Sequence, residues 1–269
     1  MSRGFVEATT IGFARALTRA MLSEETARKR GLLQSLDVRV RLVGLLSLVL
    51  AVTLSRKISV VGALFAVAIL LAVLSRVNLF MLAKRVWLIV LGFTGVIAIP
   101  ALFTTPGRII VSNGTIAITE QGLRTASLLV LRVETAVTFT TLLILCTPWT
   151  HVLKALRALR LPKEAITMLA MTYRYVFLLV DTAGQMLESR RSRTVGVLTG
   201  PEQRQMTART AGVLLSKSVA LSNDVYLAME SRGFRGDVQI LSNFRMTMWD
   251  YLGLLLFLLA AALAVWMGR

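Results

Sequence analysis

Apolar residues are concentrated in five runs that are separated by polar connections. The runs cover residues 42–54, 58–74, about 86–103, about 123–147 and about 251–267. A helix that crosses a bilayer needs about 20 mostly apolar residues, and charged residues flanking a shorter run can extend it. The first two runs are read as two tightly paired spans because Arg56 and Lys57, which lie between them, would be costly at a bilayer centre. The pattern predicts an all-α polytopic membrane protein with about five transmembrane helices.

The composition changes between the fourth and fifth runs. Residues 149–250 carry 14 Lys and Arg against 8 Asp and Glu, and the apolar residues of 203–230 form one broad helical face. We therefore predict transmembrane helices 1–4 within 36–148, a cytoplasmic domain of amphipathic helices at 149–245, and the last transmembrane helix at 246–269. Residues 1–35 predict an amphipathic N-terminal arm, which lies either on the membrane surface or against a partner protein.

Apolar and polar residues alternate in the connection between the third and fourth runs. The alternation is centred on Asn113-Gly114, a dipeptide that is typical of type I′ turns. It predicts a β-hairpin outside the membrane, with a plain ordered loop as the alternative.

Charge sets the expected orientation. The chain is 55% hydrophobic and contains 31 Lys and Arg against 14 Asp and Glu, with a mean hydropathy of +0.70. Segments 1–41, 75–85 and 149–250 hold most of the basic residues, and basic loops stay in the cytoplasm. We expect a multi-pass protein of the bacterial inner (cytoplasmic) membrane with a cytoplasmic N-terminus. The basic residues of 149–250 alternate with apolar stripes, which argues against a surface that binds nucleic acid.

Few side chains are suited to catalysis. One cysteine and one histidine exclude an internal disulfide and any metal site built mainly from these residues. Two charged residues, Arg132 and Glu134, fall inside the fourth run, where we expect them to hold neighbouring helices together. A membrane enzyme is the rival interpretation, but its candidate acids, Glu134 and Asp181, lack an evident catalytic partner in the sequence. No phosphate-binding G-x-x-x-x-G-K-[ST] motif occurs, so ATP hydrolysis by this chain is not expected.

Two short arginine motifs close helix-like segments of the basic region. They are Ser192-Arg193-Thr194 and Ser231-Arg232-Gly233. A guanidinium at a helix end can project into a carboxylate-lined groove on another protein, but it can also simply cap the helix in solvent. The residues alone leave both interpretations open.

Four stretches resemble the transmembrane T component of energy-coupling factor (ECF) transporters, in particular the cobalt- and nickel-type branch. Leu36 to Arg41 resembles the family's L-D-P-R-x-K motif apart from Val38, and Leu156 to Pro162 resembles its L-R-x-L-G-L-P coupling helix. Met171 to Tyr175 is similar to the helix that follows. Ala228 to Phe234, A-M-E-S-R-G-F, matches A-M-E-A-R-G-[FY], whereas the first arginine motif matches the family only at Arg193.

The resemblance implies a non-catalytic coupling subunit. Ser192, Arg193, Thr194, Ser231, Arg232 and Gly233 would couple the chain to two cytoplasmic ABC-type ATPase subunits, with Arg193 and Arg232 in grooves of those subunits. The ATPase subunits, and no site in this chain, would bind ATP. A separate membrane subunit would capture the substrate, which is cobalt or nickel in this branch. A vitamin-type ECF importer is one alternative, and a membrane-anchored basic interaction protein is another.

Overall fold

A computed structural model describes residues 31–104, 109–113, 116–159, 161–193, 199–234 and 247–269. Residues 1–30 of the predicted N-terminal arm (1–35) lie outside the described residues, as does Thr194. The helices are α1 (Leu32–Ser35), α2 (Val38–Leu54), α3 (Ile58–Leu74), α4 (Leu79–Leu82), α5 (Leu88–Thr104), α6 (Glu120–Cys146), α7 (Trp149–Ala158), α8 (Lys163–Arg193), α9 (Gly200–Ser231) and α10 (Met248–Gly268). The fold class is confirmed as all-α and polytopic, with one small β-hairpin added.

The chain divides into two compact units. The bundle unit comprises the described residues of 24–155 and 244–269, and the pair unit comprises the described residues of 156–243. The chain leaves the bundle unit within α7, after Ala155, and has returned to it by Thr247. The assignment of these segments to membrane and cytoplasm stays a prediction.

The core of the bundle unit lies where α2, α3, α6 and α10 meet. Phe139 of α6 is fully buried there, together with Leu48 of α2 and Val61 of α3. Helices α2 and α10 approach closely because Gly44 has no side chain: a Cβ at this position would lie 2.6 Å from the Phe257 ring. Close packing through a small residue is typical of helices that associate within a membrane.

Side-chain caps set the starts of the bundle helices. The carboxylate of Asp37 accepts a hydrogen bond from the Arg39 backbone N–H (2.8 Å) and begins α2. The Thr119 hydroxyl accepts one from the Gly122 N–H (3.0 Å) and begins α6. These caps satisfy backbone donors that a helix leaves unpaired at its first turn.

The third apolar run is part of a longer helical segment. The π-helical turn Ala83–Trp87 joins α4 to α5, and α5 continues through Pro100 to Thr104. The indole N–H of Trp87 donates to the Thr138 hydroxyl of α6 (3.0 Å), which fixes this segment against the bundle.

The predicted hairpin is present. Strands β1 (Ile109–Asn113) and β2 (Ile116–Thr119) are antiparallel, and Asn113 pairs with Ile116. Asn113, which the sequence analysis predicts in the turn, is the last residue of β1, and Gly114 lies outside the described residues. An irregularity between Ile109 and Val111 changes the strand register, which the alternating pattern does not encode.

Three helical segments of the described chain are long and apolar enough to cross a membrane. They are Glu120–Cys146, Lys163–Arg190 and Met248–Gly268. Ile58–Leu74 and Leu88–Pro100 are shorter apolar segments. By length and composition, most of α8 could cross a membrane. The sequence analysis, in contrast, places α8 in the cytoplasmic domain.

Candidate functional site

The pair unit carries both arginine motifs on its two long helices. Helix α8 begins directly after Pro162, and α9 begins with Pro201 in its first turn, where proline has no N–H to leave unpaired. The Glu202 carboxylate accepts a hydrogen bond from the Thr199 backbone N–H (2.8 Å), which completes a capping box. Hydrogen bonds from the Thr199 backbone and side chain lower the pKa of Glu202.

An apolar groove of about 600 Å³ runs between α8 and α9. Met168, Met171 and Tyr175 of α8 line it opposite Val225 and Met229 of α9. The first residues of α8 line the groove together with the last turn of α9, so the two helices are antiparallel.

Only one stripe of α9 packs towards α8. Leu221, Val225 and Met229 on this stripe are half-buried, whereas Leu215 is 67% exposed and Val219 is 58% exposed. The sequence analysis predicts one broad apolar face over residues 203–230, and much of that face is uncovered. An exposed apolar surface of this kind is typical of an interface with another protein or with lipid.

Both predicted arginines lie at helix ends. Arg193 is the last residue of α8, and Arg232 is the C-cap residue of α9. Their side chains are exposed. The sequence placed each arginine near the end of a helical segment, and the structure confirms that placement.

Gly233 makes the α9 terminus well defined. It has a φ of +79°, a left-handed conformation that favours glycine. Its N–H donates to the Glu230 carbonyl (2.9 Å), and the Phe234 N–H donates to the Met229 carbonyl (3.0 Å). These two bonds form a Schellman motif, which ends the helix immediately beyond Arg232.

The serine before each arginine makes the same local contact. The Ser192 hydroxyl donates to the Ser189 carbonyl (3.0 Å), and the Ser231 hydroxyl donates to the Ala228 carbonyl (2.9 Å). Each hydroxyl therefore bonds its own helix, three residues back. Both motifs carry this serine where the family has alanine, and the serine makes the same bond in each; the first motif also has Thr194 in place of glycine.

The two arginines lie at opposite ends of the pair unit. Because α8 and α9 are antiparallel, their C-terminal ends point in opposite directions. The 31 residues of α8 span about 45 Å at 1.5 Å per residue. One binding groove on a partner could not receive both guanidinium groups.

The charged residues of α6 have different environments. The Arg132 guanidinium donates to the Ser55 carbonyl at the C-terminal end of α2 (2.7 Å), so its predicted interhelical contact is confirmed. Glu134 is 4% exposed, and neither of its carboxylate oxygens has a hydrogen-bond donor among the described residues. The interhelical bond expected for Glu134 is therefore absent from this part of the chain.

A polar junction that the sequence analysis missed lies at the other end of α2. The Asp37 backbone N–H donates to the Asp250 carboxylate (2.7 Å), and the Arg41 guanidinium donates to the Cys146 carbonyl at the end of α6. The spacing Thr247-x-x-Asp250 resembles a capping box and could have indicated the start of α10. The contact with Asp37 bridges 213 positions, and no local pattern reveals it.

Metal-ligating side chains are dispersed over the described residues. No three of His, Cys, Asp and Glu in this part of the chain come close enough together to hold a metal ion. The groove between α8 and α9 is lined mainly by apolar side chains and thioethers, and the bundle core is apolar.

Comparison with known proteins places the chain in a family. The family model described as cobalt transport protein, CbiQ, matches residues 29–241. An uncharacterised protein of Methanocaldococcus jannaschii is 34% identical over 91% of this chain and 86% of its own length. The cobalt transport protein CbiQ of Rhodobacter capsulatus is 30% identical over 64% of this chain and 72% of its own length.

An energy-coupling factor transporter transmembrane protein, EcfT, of Listeria innocua is also similar. It is 24% identical over 81% of this chain and 86% of its own length. The family match covers both arginine motifs. It also covers Asp37, Arg41 and Cys146 of the polar junction, but it ends before Asp250. The chain belongs to the CbiQ family of cobalt transport proteins.

Proposed function

We propose that this chain is the transmembrane T component of an ECF-type ABC importer. In this role it links ATP hydrolysis by cytoplasmic subunits to a separate membrane subunit that captures the substrate. The observation that carries the proposal is the exposed arginine at the end of each of two antiparallel helices, Arg193 and Arg232. Membership of the CbiQ family and similarity to EcfT proteins support it.

The proposed partners of the arginines are two ABC-type ATPase subunits. A guanidinium offers a planar set of donors that can bind a carboxylate with two parallel hydrogen bonds. The separation of about 45 Å along α8 favours one docking groove on each of two subunits. ATP is bound by those subunits, and this chain is a non-catalytic component.

The proposed partner of the open apolar surface is the substrate-capture subunit, with membrane lipid around it. Leu215, Val219 and Tyr226 of α9 are each more than half exposed. Aromatic and aliphatic side chains at this exposure would be buried by a membrane protein that lies against α9.

We place the N-terminus and the pair unit on the cytoplasmic side of the cytoplasmic membrane. The excess of basic residues in 1–41, 75–85 and 149–250 supports this orientation. Helix α8 has the length of a span, but Arg174 and Asp181 fall within its apolar stretch and would be costly in a bilayer core. A position along the membrane surface avoids that cost.

The orientation can be tested by cysteine labelling in a Cys146→Ser background. An impermeant thiol reagent should label Asn113→Cys in intact cells, and it should label Arg209→Cys only after lysis. Labelling of position 113 solely after lysis would contradict the orientation.

The proposed cargo is cobalt or nickel. The matching family description and the R. capsulatus relative both name cobalt transport. The EcfT similarity keeps a vitamin-type importer as the alternative. Uptake of ⁵⁷Co²⁺ or ⁶³Ni²⁺ into cells that express the complete complex decides between them, since a vitamin importer would accumulate neither ion.

Purification of the tagged chain in mild detergent tests the assembly itself. We expect two ATP-binding subunits and a second membrane protein to purify with it in defined ratio. Purification of the chain alone, or with nucleic acid, would favour a membrane-anchored basic interaction protein instead.

A further inference from the structure

The first turn of α2 bonds to the two bundle helices, α6 and α10, that precede and follow the pair unit in the sequence. The outgoing passage begins at the end of α6, where the Cys146 carbonyl accepts a hydrogen bond from Arg41. The returning passage ends at α10, whose Asp250 accepts a hydrogen bond from the Asp37 backbone N–H (2.7 Å). Cys146 lies nine residues before the unit boundary at Ala155, and Thr247 lies at the start of the described returning segment.

These contacts are built into the interior of the bundle unit. Arg41 is 4% exposed, and its Nε also donates to the Leu36 carbonyl (3.1 Å), so the guanidinium links two carbonyls. Asp250 is 5% exposed, and its second oxygen accepts bonds from the backbone N–H and the hydroxyl of Thr247, both at 2.9 Å. A buried charge that makes several hydrogen bonds resists displacement because each lost bond leaves a buried group unpaired.

We propose that Arg41 and Asp250 are positioning residues for energy coupling. They anchor both passages to one helical turn, so that movement of the pair unit is transmitted to α2 and α10 and is not absorbed by local unfolding at the passages. The inference rests on the proposed function. It adds a specific route by which ATP-driven movement enters the membrane bundle.

The opposite end of α2 provides a matched control. There Arg132 donates to the Ser55 carbonyl (2.7 Å), which is the same kind of guanidinium–carbonyl bond between α6 and α2. No passage between the units begins at Ser55 or Arg132. Loss of either arginine removes a bond between α2 and α6, but only loss of Arg41 releases a passage.

The test is hydrogen–deuterium exchange on the complete complex in lipid nanodiscs, with and without ATP and vanadate. In the wild type, addition of ATP and vanadate should change amide exchange in α8 and α9 and also in α2 and α10. In Arg41→Met the ATPase subunits should stay bound and the change in α8 and α9 should persist. The ATP-dependent change in amide exchange of α2 and α10 should be roughly tenfold smaller than in the wild type. Tenfold is the factor expected when one hydrogen bond to a charged group is lost.

Three further variants complete the test. Asp250→Ala should behave like Arg41→Met, Arg41→Lys should restore part of the response, and Arg132→Met should leave the response intact. Equal loss of the response in Arg41→Met and Arg132→Met would overturn the proposal, as would an unchanged response in Arg41→Met. If the wild type lost its ATPase subunits or showed no change in α8 and α9, the proposed function itself would fail, which is a distinct result.

Discussion

The bundle unit and the pair unit differ in how much of an apolar core they bury. In the bundle unit, Leu48, Phe139 and Leu142 are fully buried where several helices meet. In the pair unit, two helices of about 30 residues enclose a groove, and most of their large apolar side chains are at least partly exposed. Both units expose large apolar side chains, such as Phe93 (73%) in the bundle unit and Leu215 (67%) in the pair unit. The continuous cluster of buried apolar residues lies in the bundle unit.

The difference indicates which features each unit needs for function. Substitutions in the bundle unit should act through packing. Substitutions in the pair unit should act through binding, because an exposed side chain loses few contacts within the chain when it is shortened. Packing effects in the bundle unit and binding effects in the pair unit can be separated experimentally.

The largest effect is expected for truncation of the bundle core. Phe139→Ala should lower the free energy of unfolding by about 3–5 kcal/mol, because the ring is fully buried and its removal leaves a cavity. Leu215→Ala, at 67% exposure, should change stability by less than about 0.5 kcal/mol. Denaturation of both purified variants in the same detergent measures the difference, and similar losses would contradict the division.

An intermediate effect is expected at the end of α9. Gly233→Ala places a Cβ on a residue with a φ of +79°, at a cost of about 1–2 kcal/mol. We expect faster amide exchange at residues 229–234 and weaker retention of ATPase subunits, with the bundle unit unchanged. Gly212→Ala, in the middle of the same helix with open space around it, serves as the control. Equal behaviour of the two variants would show that the Schellman motif does not position Arg232.

The smallest effect is expected from acidification at the start of α9. Hydrogen bonds from Thr199 lower the pKa of Glu202 from its ordinary value of 4.5. The depressed pKa means that this stabilisation is complete above the unfolded value and is lost as the pH falls through the folded value. Amide protection at residues 199–205, corrected for intrinsic exchange, should decline as the pH falls below 4.5 and through the folded-state pKa of Glu202. In Glu202→Gln the same residues should show a flat profile, and a decline of equal size there would exclude the carboxylate as its cause.

The sequence predicted the elements well because each carries a local signal. Each of the five apolar runs lies in a helix of the bundle unit, and the Pro201 region predicted the start of α9. That all five cross the membrane stays a prediction. The arginine motifs were placed at helix ends because a β-branched residue, Thr194, or a helix-stopping residue, Gly233, follows each arginine. The alternation of apolar and polar residues predicted the hairpin. It did not predict the strand register, which depends on an irregularity between Ile109 and Val111.

The tertiary contacts carry no such local signal. The bond between Asp37 and Asp250 joins residues 213 positions apart, and the bond between Arg132 and Ser55 joins residues 77 positions apart. The sequence identified Arg132 as a charge that needs a partner, but it could not name a backbone carbonyl as that partner. For Glu134 the expectation of an interhelical bond was wrong within the described residues.

We propose that Arg193 and Arg232 dock this chain onto two ATPase subunits. The most direct measurement is the number of ATPase subunits retained per chain after purification from membranes with matched expression. Removing a guanidinium from a carboxylate groove costs about 2–5 kcal/mol, or roughly 30- to several-thousand-fold in affinity. Each single alanine variant should therefore retain fewer subunits, Arg232→Lys should also be impaired, and Arg193→Ala/Arg232→Ala should retain none. Arg209→Ala, an exposed arginine within α9, should match the wild type. Full retention of ATPase subunits by the double variant would show that these two arginines do not dock the chain.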